Sequence, residues 1–202
     1  MREMKDSGIE WIGEIPKDWH IKRAKYLFEI ASGSTPNSDP NYWDGSVVWV
    51  TPADFKTEDK YIHEGKRTIS LAGLKSCSCS LVPKYSLVFS KRAPIGTVAI
   101  NSVPLCTNQG CLTCVPYEKD IHEYYYYVLS CGREHFEILG SGTTFKEISI
   151  SKFSNCELPV PPCRERDLIV SFLNLNCQVK CNTTDSRSRK GFGSLVLFLA
   201  SY

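Results

Sequence analysis

The stretch Leu158-Pro159-Val160-Pro161-Pro162 puts three prolines into five residues. Proline holds φ at about −65°, donates no backbone hydrogen bond and clashes with a preceding helical turn. This stretch is therefore barred from helix and from the middle of a sheet, and the sequence predicts a stiff extended connector. It divides the chain into a body at residues 1–162, a helical segment at 163–181 and a tail of other character at 182–202. From Arg164 onward, Leu168, Ile169, Phe172, Leu173 and Leu175 recur at helical spacing, predicting an amphipathic helix that projects from the body. Beyond it the polar, glycine-containing text to Gly193 breaks the pattern, and the apolar run after it has no partner of its own.

Within the body, short apolar runs alternate with turn chemistry. After an extended opening, Asp18 is placed to cap a short amphipathic helix with Trp19, Ile21, Ala24, Leu27 and Phe28 on its apolar face. Residues 31–45 are rich in Gly, Ser, Asn and Pro and read as a loop. Strands are predicted at 46–51, 81–82, 86–90, 96–100 and 112–115, and a turn leading into a short helix at 68–74. The longest helix is predicted over 121–139, where Ile121, Tyr124, Tyr125, Val128, Leu129, Phe136 and Leu139 keep a 3.6-residue period, ended by Gly140. Its run of tyrosines can be a stacking platform for bases, but the period turns two of them inward and favours core packing. A hydroxyl-rich turn at 140–145 then leads past Lys146 into a short helix at 149–153.

With 42% hydrophobic residues the chain can bury one good core. Its net charge of +2 is too small to announce a nucleic-acid binder. Distribution says more: residues 56–92 carry eight Lys and Arg against three Asp and Glu, and residues 164–202 six against three. Such segregation gives either solvated loops or a basic face that attracts polyphosphate. Ten cysteines suggest a disulfide framework or zinc. However, no secretion signal is present, so the thiols are expected to stay reduced. The pairs Cys77/Cys79, Cys111/Cys114 and Cys177/Cys181 are scattered, and Cys111 and Cys114 fall on opposite faces of a strand. They read as small buried hydrophobes, and no metal or cofactor is expected. The longest apolar run, residues 195–200, is far short of the roughly 20 residues of a membrane span, so a cytoplasmic protein without membrane contact is expected.

Catalytic chemistry leaves no mark. A base methyltransferase needs a glycine-rich donor loop and an Asn/Asp-Pro-Pro-aromatic or Pro-Cys motif on a donor-binding fold. Asp39-Pro40-Asn41-Tyr42 lacks the second proline, and Pro162-Cys163 belongs to the connector. There is no phosphate loop, serine elbow or zinc-protease helix. The histidines His20, His63, His122 and His135 stand singly and read as surface or packing residues. No catalytic residue is assigned.

A set of short motifs in a fixed order is more specific than any one of them. Residues 5–19, KDSGIEWIGEIPKDW, are followed by Ser32-Gly33-Ser34-Thr35-Pro36, Tyr42-Trp43, Val48-Trp49-Val50-Thr51-Pro52, Arg92-Ala93-Pro94-Ile95-Gly96, Thr107-Asn108-Gln109-Gly110, the glycine-rich turn at 140–145 and the proline connector. Over about residues 5–173 this order resembles a target-recognition domain of type I restriction-modification specificity subunits. The resemblance implies an α+β fold: a mixed, mainly antiparallel twisted sheet with flanking helices, followed by a C-terminal helix after the connector. It implies a non-catalytic subunit that reads double-stranded DNA. Full-length members resemble two such domains in tandem, each followed by a long helix, the two helices pairing antiparallel to set the spacing of a split site. The helices dock the methyltransferase subunit, and the nuclease-translocase subunit joins that complex. One domain and one helix make this chain half a specificity subunit, and two copies can rebuild the two-fold reader as a homodimer through that helix.

The chain departs from the family in two places. After the connector the family continues with a small residue and Glu-Gln, whereas Cys163-Arg164-Glu165-Arg166 puts arginine in place of glutamine. The long charged helix expected after Leu173 is also missing, and residues 176–202 are expected to record a frameshift or rearrangement. A truncated interaction module that binds the methyltransferase without useful DNA specificity is the alternative reading.

Base edges in the major groove need aimed donors and acceptors, with Lys and Arg on phosphates. The candidates are Ser34, Thr35 and Asn37; Thr51, Asp54 and Lys56; Lys91 and Arg92; Asn108 and Gln109; and Thr143, Thr144 and Lys146. The partner face of the helix is assigned to Leu168, Ile169, Phe172 and Leu173. Motifs shared by domains that read different sequences cannot encode specificity alone. Arg92 is thus open to structural, phosphate and base roles, and Asn108 and Gln109 to a structural turn. Base reading is expected mainly from residues 55–80.

Overall fold

Several stretches in the middle of the chain are apolar at every position, the pattern of strands covered on both faces. The computed structural model describes residues 2–56, 59–142 and 146–181, with side chains placed up to residue 175. In chain order the elements are β1 (Met4–Asp6), β2 (Glu14–Pro16), β3 (His20–Arg23), β4 (Phe28–Ser32), β5 (Trp43–Val50), β6 (Tyr61–Ile62), β7 (Arg67–Ile69), α1 (Leu71–Ser76), β8 (Leu87–Ser90), β9 (Val98–Asn101), β10 (Leu105–Thr107), β11 (Cys111–Pro116), α2 (His122–Cys131), α3 (Arg133–Leu139), α4 (Ile150–Ser154), β12 (Glu157–Val160) and α5 (Cys163–Cys181). A five-stranded sheet has the order β4-β11-β8-β9-β6 and a three-stranded one β10-β5-β7, while β1-β2 and β12-β3 are two-stranded ribbons. All pairings are antiparallel except β10 with β5 and β6 with β9. The mixed, mainly antiparallel α+β architecture expected from the sequence is present.

Pleating sorts the continuous apolar runs into layers. Leu87, Phe89, Val98, Ile100, Leu112 and Cys114 point into the main core, which also holds Tyr124, Val128, Phe136 and Phe153 from α2, α3 and α4. Their neighbours Val88, Ala99 and Cys111 point the other way and meet Val50 and Leu105 of the smaller sheet. The far face of that sheet buries Val47, Trp49, Ile69 and Cys106. Cys111 and Cys114 lie on opposite faces, both completely buried, whereas Cys131 and Cys163 are exposed.

The short helix expected from Asp18 is instead β3, a 3-10 turn at Ala24–Tyr26 and β4. Long-range pairing overrides the local spacing: Ile21 sits opposite Pro159, the Ala24 amide donates to the Cys156 carbonyl, and β4 pairs with β11. Trp19, Ala24, Leu27 and Phe28 are buried nonetheless. Asp18 caps nothing and takes the Arg2 guanidinium at 2.7 Å. The proline connector is extended as expected, but its first part is β12; a two-stranded ribbon leaves alternate amides unpaired, so Pro159 fits. The helix expected over 121–139 is two helices that break at Gly132, where a Cβ would stand 3.0 Å from the Phe136 and Trp11 rings. Three of the tyrosines, Tyr124, Tyr125 and Tyr127, are buried there instead of two, and the longest helix is α5. The loop expected at 31–45 is trimmed at both ends by β4 and β5.

Helix α5 does not stand clear of the body along its first half. Ile169, assigned to a partner face, is 1% exposed and faces the chain's own core, and Val170 and Leu173 pack beside it. Leu168 and Leu175 face outward, and Phe172 is half-buried. Arg166, standing where the family has glutamine, is buried with its guanidinium 3.5 Å from Glu118. Further along, Asn174 donates to Glu123 Oε2 (2.9 Å) and accepts from Lys60 Nζ (2.8 Å) and the Tyr127 hydroxyl (2.6 Å). Lys60 and the Tyr61 hydroxyl also donate to Glu123. The tail at 182–202 lies outside the described residues.

Burial works against the Glu123 charge, but hydrogen bonds from Tyr61, Asn174 and Lys60 outweigh it and hold the carboxyl down at about 2 instead of 4.5. A depressed carboxylate stabilises the fold above its ordinary pKa, and that contribution fades as pH falls from 4.5 towards about 2. Denaturant midpoints of wild type are expected to drop through this window and those of Glu123→Gln to drop less steeply. Parallel acid slopes would show that Glu123 does not clamp α5.

Candidate nucleic-acid interface

The loop after β4 leaves the sheet under contact so close that only glycine fits its first position. A Cβ on Gly33 would stand 2.1 Å from the Thr107 carbonyl oxygen and 2.4 Å from that of Asn108. The Ser34 amide then donates to Thr107 O at 2.9 Å. Two indoles of β5 fasten the rest: Trp49 Nε1 donates to the Ser34 carbonyl (3.0 Å) and Trp43 Nε1 to the Asn37 carbonyl (2.8 Å). Their rings meet edge to face at 5.2 Å. From below, Cys79 Sγ lies 3.2 Å from Ser34 O and 3.0 Å from Thr107 O. The backbone is thus fixed by buried and half-buried groups, while Thr35 and Asn37 remain exposed.

The turn after β10 meets this loop. Thr35 and Gln109 share a hydrogen bond, and both are exposed. Asn108 is structural on its acceptor side: its amide donates to Val50 O, and its Oδ1 accepts from the Gly110 amide at 2.9 Å. A Cβ on Gly110 would press on Pro52 at 2.8 Å, which brings in the turn after β5. There, Thr51 gives its amide (2.8 Å) and hydroxyl (2.7 Å) to Asp54 Oδ2, and Asp54 Oδ1 accepts from the Lys66 amide (2.9 Å). Both residues close a turn and have little left for a ligand.

On the other side the Lys91 amide donates to Gly110 O, and Lys91 O accepts from the Ile148 amide. Lys91 Nζ is 2.8 Å from Glu147 Oε1, with its side chain 9% exposed, and Arg92 Nε is 2.6 Å from Oε2, with 42% exposed. Burial opposes the Glu147 charge, but hydrogen bonds from both cations hold the carboxyl below its ordinary value. Lys91 is a structural ion, whereas Arg92 stays partly open to solvent. Lys146, next to this pair, is exposed. Thr143 and Thr144 lie outside the described residues.

The stretches at 33–37, 51–54, 91–92 and 108–110 therefore join, bond by bond, into one continuous rim. Lys56 stands off from it, 3.4 Å from Glu64 and 4.0 Å from Asp59. Sequence reasoning missed Glu147, which has no motif, and Arg67, whose guanidinium lies 3.7 Å above the Trp43 ring. Arg67 does fall within the stretch at 55–80 where base reading was expected. His122 stacks on Tyr85 and His135 on Trp11, so both are packing residues. Among the described residues, no three His, Cys, Asp or Glu side chains gather as a metal set, and no helix is long and apolar enough to cross a membrane.

Residues 16–175 match the family of the type I restriction modification DNA specificity domain. The chain belongs to that family. Specificity subunits of this family are the non-catalytic, DNA-recognising parts of their systems. Over 167 residues the chain is 38% identical to the type I restriction enzyme MjaIX specificity subunit of Methanocaldococcus jannaschii, covering 81% of this chain and 39% of that one. Against the HindI specificity subunit of Haemophilus influenzae it is 26% identical over 151 residues, 73% of this chain and 33% of the other. The crystal structure of the HsdS subunit from Thermoanaerobacter tengcongensis has the same fold, with a TM-score of 0.68 at 18% identity, over 98% of this chain and 46% of that one. The specificity-domain chain thus spans less than half the length of these relatives.

Proposed function

We propose that this specificity domain reads one half of a split site in double-stranded DNA and directs a methyltransferase and, through the complex, a nuclease-translocase to it from the cytoplasm. The observation that carries the reading is the rim: loops far apart in sequence are locked together by backbone contacts while Thr35, Asn37 and Gln109 are left exposed and Arg92 partly exposed. A rigid platform that presents hydroxyl, amide and guanidinium groups at its surface is what direct readout of base edges requires. Arg92, with one nitrogen on Glu147, is oriented for phosphate, and Lys146 beside it adds a second cation. The outward leucines Leu168 and Leu175 of α5 supply a face for the methyltransferase or for a second copy of the chain.

The test is co-purification with the type I methyltransferase subunit of the host, followed by methylation-sensitive sequencing of host DNA and by DNA titration at several salt concentrations. The expected result is a methylated split motif and affinity falling linearly in log–log against salt, with cognate duplex bound about 1,000-fold or more tighter than random duplex. A complex that methylates nothing, from a chain whose affinity ignores salt, would overturn the reading.

A further inference from the structure

Beside the rim is an open depression of about 460 Å³, lined by Thr35, Ser38, Trp43, Asp44 and Arg67 among others. Two groups of opposite charge share it without neutralising each other: among the described residues, neither Arg67 nor Asp44 makes an ion pair within 4 Å. Both are exposed. Each is nevertheless held in place. Arg67 lies flat on the Trp43 indole, an attraction of ring face and cation that orders a long side chain in advance. Trp43 is itself fixed by its bond to Asn37 O and by the edge of Trp49.

Asp44 is aimed by backbone. The pairing of β5 with β7 shifts register between Trp43 and Val47, a bulge of the kind that redirects a side chain out of the ladder. Asp44 there has φ of +56°, unfavourable for a residue with a side chain. Gly45 next to it presses so closely on the end of β7 and the residue after it that a Cβ would stand 2.8 Å from Ile69 O and 2.4 Å from Ser70 Cα. The bulge spends backbone strain to turn a carboxylate into a depression that already holds a guanidinium.

We propose that Arg67 and Asp44 form the reading head for a single G·C base pair in the major groove. This rests on the reading of the domain as a DNA reader and assigns specificity to two residues within it. Guanine presents two acceptors, N7 and O6, and its cytosine partner presents the N4 donor beside them. A forked donor next to an acceptor is the complement of that edge. A phosphate is not, because Asp44 would repel it in the same depression.

The experiment selects bound duplexes from a random library with the wild-type chain, Arg67→Ala, Arg67→Lys and Asp44→Asn, and measures each salt slope. Because both side chains are exposed, the variants are expected to melt as wild type does. The wild type should show one G·C position at which both Arg67 variants lose about 10- to 100-fold of discrimination and Asp44→Asn loses it at the same position, with preferences elsewhere intact. Equal weakening on every sequence by Arg67→Ala, with the salt slope reduced by about one, would make Arg67 a phosphate contact and overturn the proposal. An unchanged motif in all variants would overturn it as well. If the wild type itself selects no motif, the DNA-reading function fails, and this assignment falls with it.

Discussion

Phe89→Ala is expected to destabilise the domain by about 3–5 kcal/mol, the range for deleting a fully buried aromatic ring. Phe89 is 0% exposed. Its ring packs on Phe136 at 5.1 Å and Phe153 at 4.6 Å, so one side chain joins β8 to both α3 and α4. Its strand is paired on both sides, Phe89 lying opposite Leu112 and Val98, so the sheet cannot close over the vacated space. Urea unfolding gives the measurement, with Tyr26→Ala as the control: Tyr26 is 63% exposed, and its loss is expected to stay within about 0.5 kcal/mol. Equal midpoints for the two variants would mean that the three-ring contact is not the keystone of the helical layer.

The second large effect is expected at Glu147. Glu147→Ala strands Lys91, whose side chain is 9% exposed and whose ammonium has Glu147 as its ion-pair partner. Breaking a fully buried pair costs about 3–5 kcal/mol. With Glu147 29% exposed, water relieves part of this, and about 2 kcal/mol is expected. The same change frees Arg92 and removes a negative charge from the rim, so affinity for random duplex should rise even as the fold weakens. Stability and DNA binding moving in opposite directions is the diagnostic result. An unchanged unfolding midpoint would show that the Lys91–Glu147–Arg92 cluster contributes nothing.

The layers were legible because strands such as β8 and β9 are apolar at consecutive positions, and turn chemistry marked their ends. What was not legible depended on partners distant in sequence. Residues 18–28 carry apolar groups at spacings that suit a turn of helix, and only the approach of β12 and β11 makes them strands. Gly132 falls inside the periodic run at 121–139, and the ring of Phe136 that makes it a break comes into place only after folding. The rim loops announced themselves through Gly33, Pro52 and Gly110, since close backbone approach demands such residues. The charges that organise the rim did not. Glu147 is one acid among many until the chain brings it to Arg92, and Arg67 is one base within a basic stretch until the bulge in β5 sets Trp43 under it.

The double attachment of α5 has a geometrical consequence. Its first turn is tied to the N-terminus by the Arg2–Glu165 pair, and Asn174 is tied to Lys60, Glu123 and Tyr127. At 1.5 Å per residue these ties lie about 13 Å apart along the axis, so play of about 1 Å at either one tilts the rod by only about 4°. A rod pinned at one end swivels, whereas a rod pinned twice keeps a bearing. The heading of α5 relative to the rim is then a fixed angle of the molecule, and whatever grips its outward leucines inherits that angle.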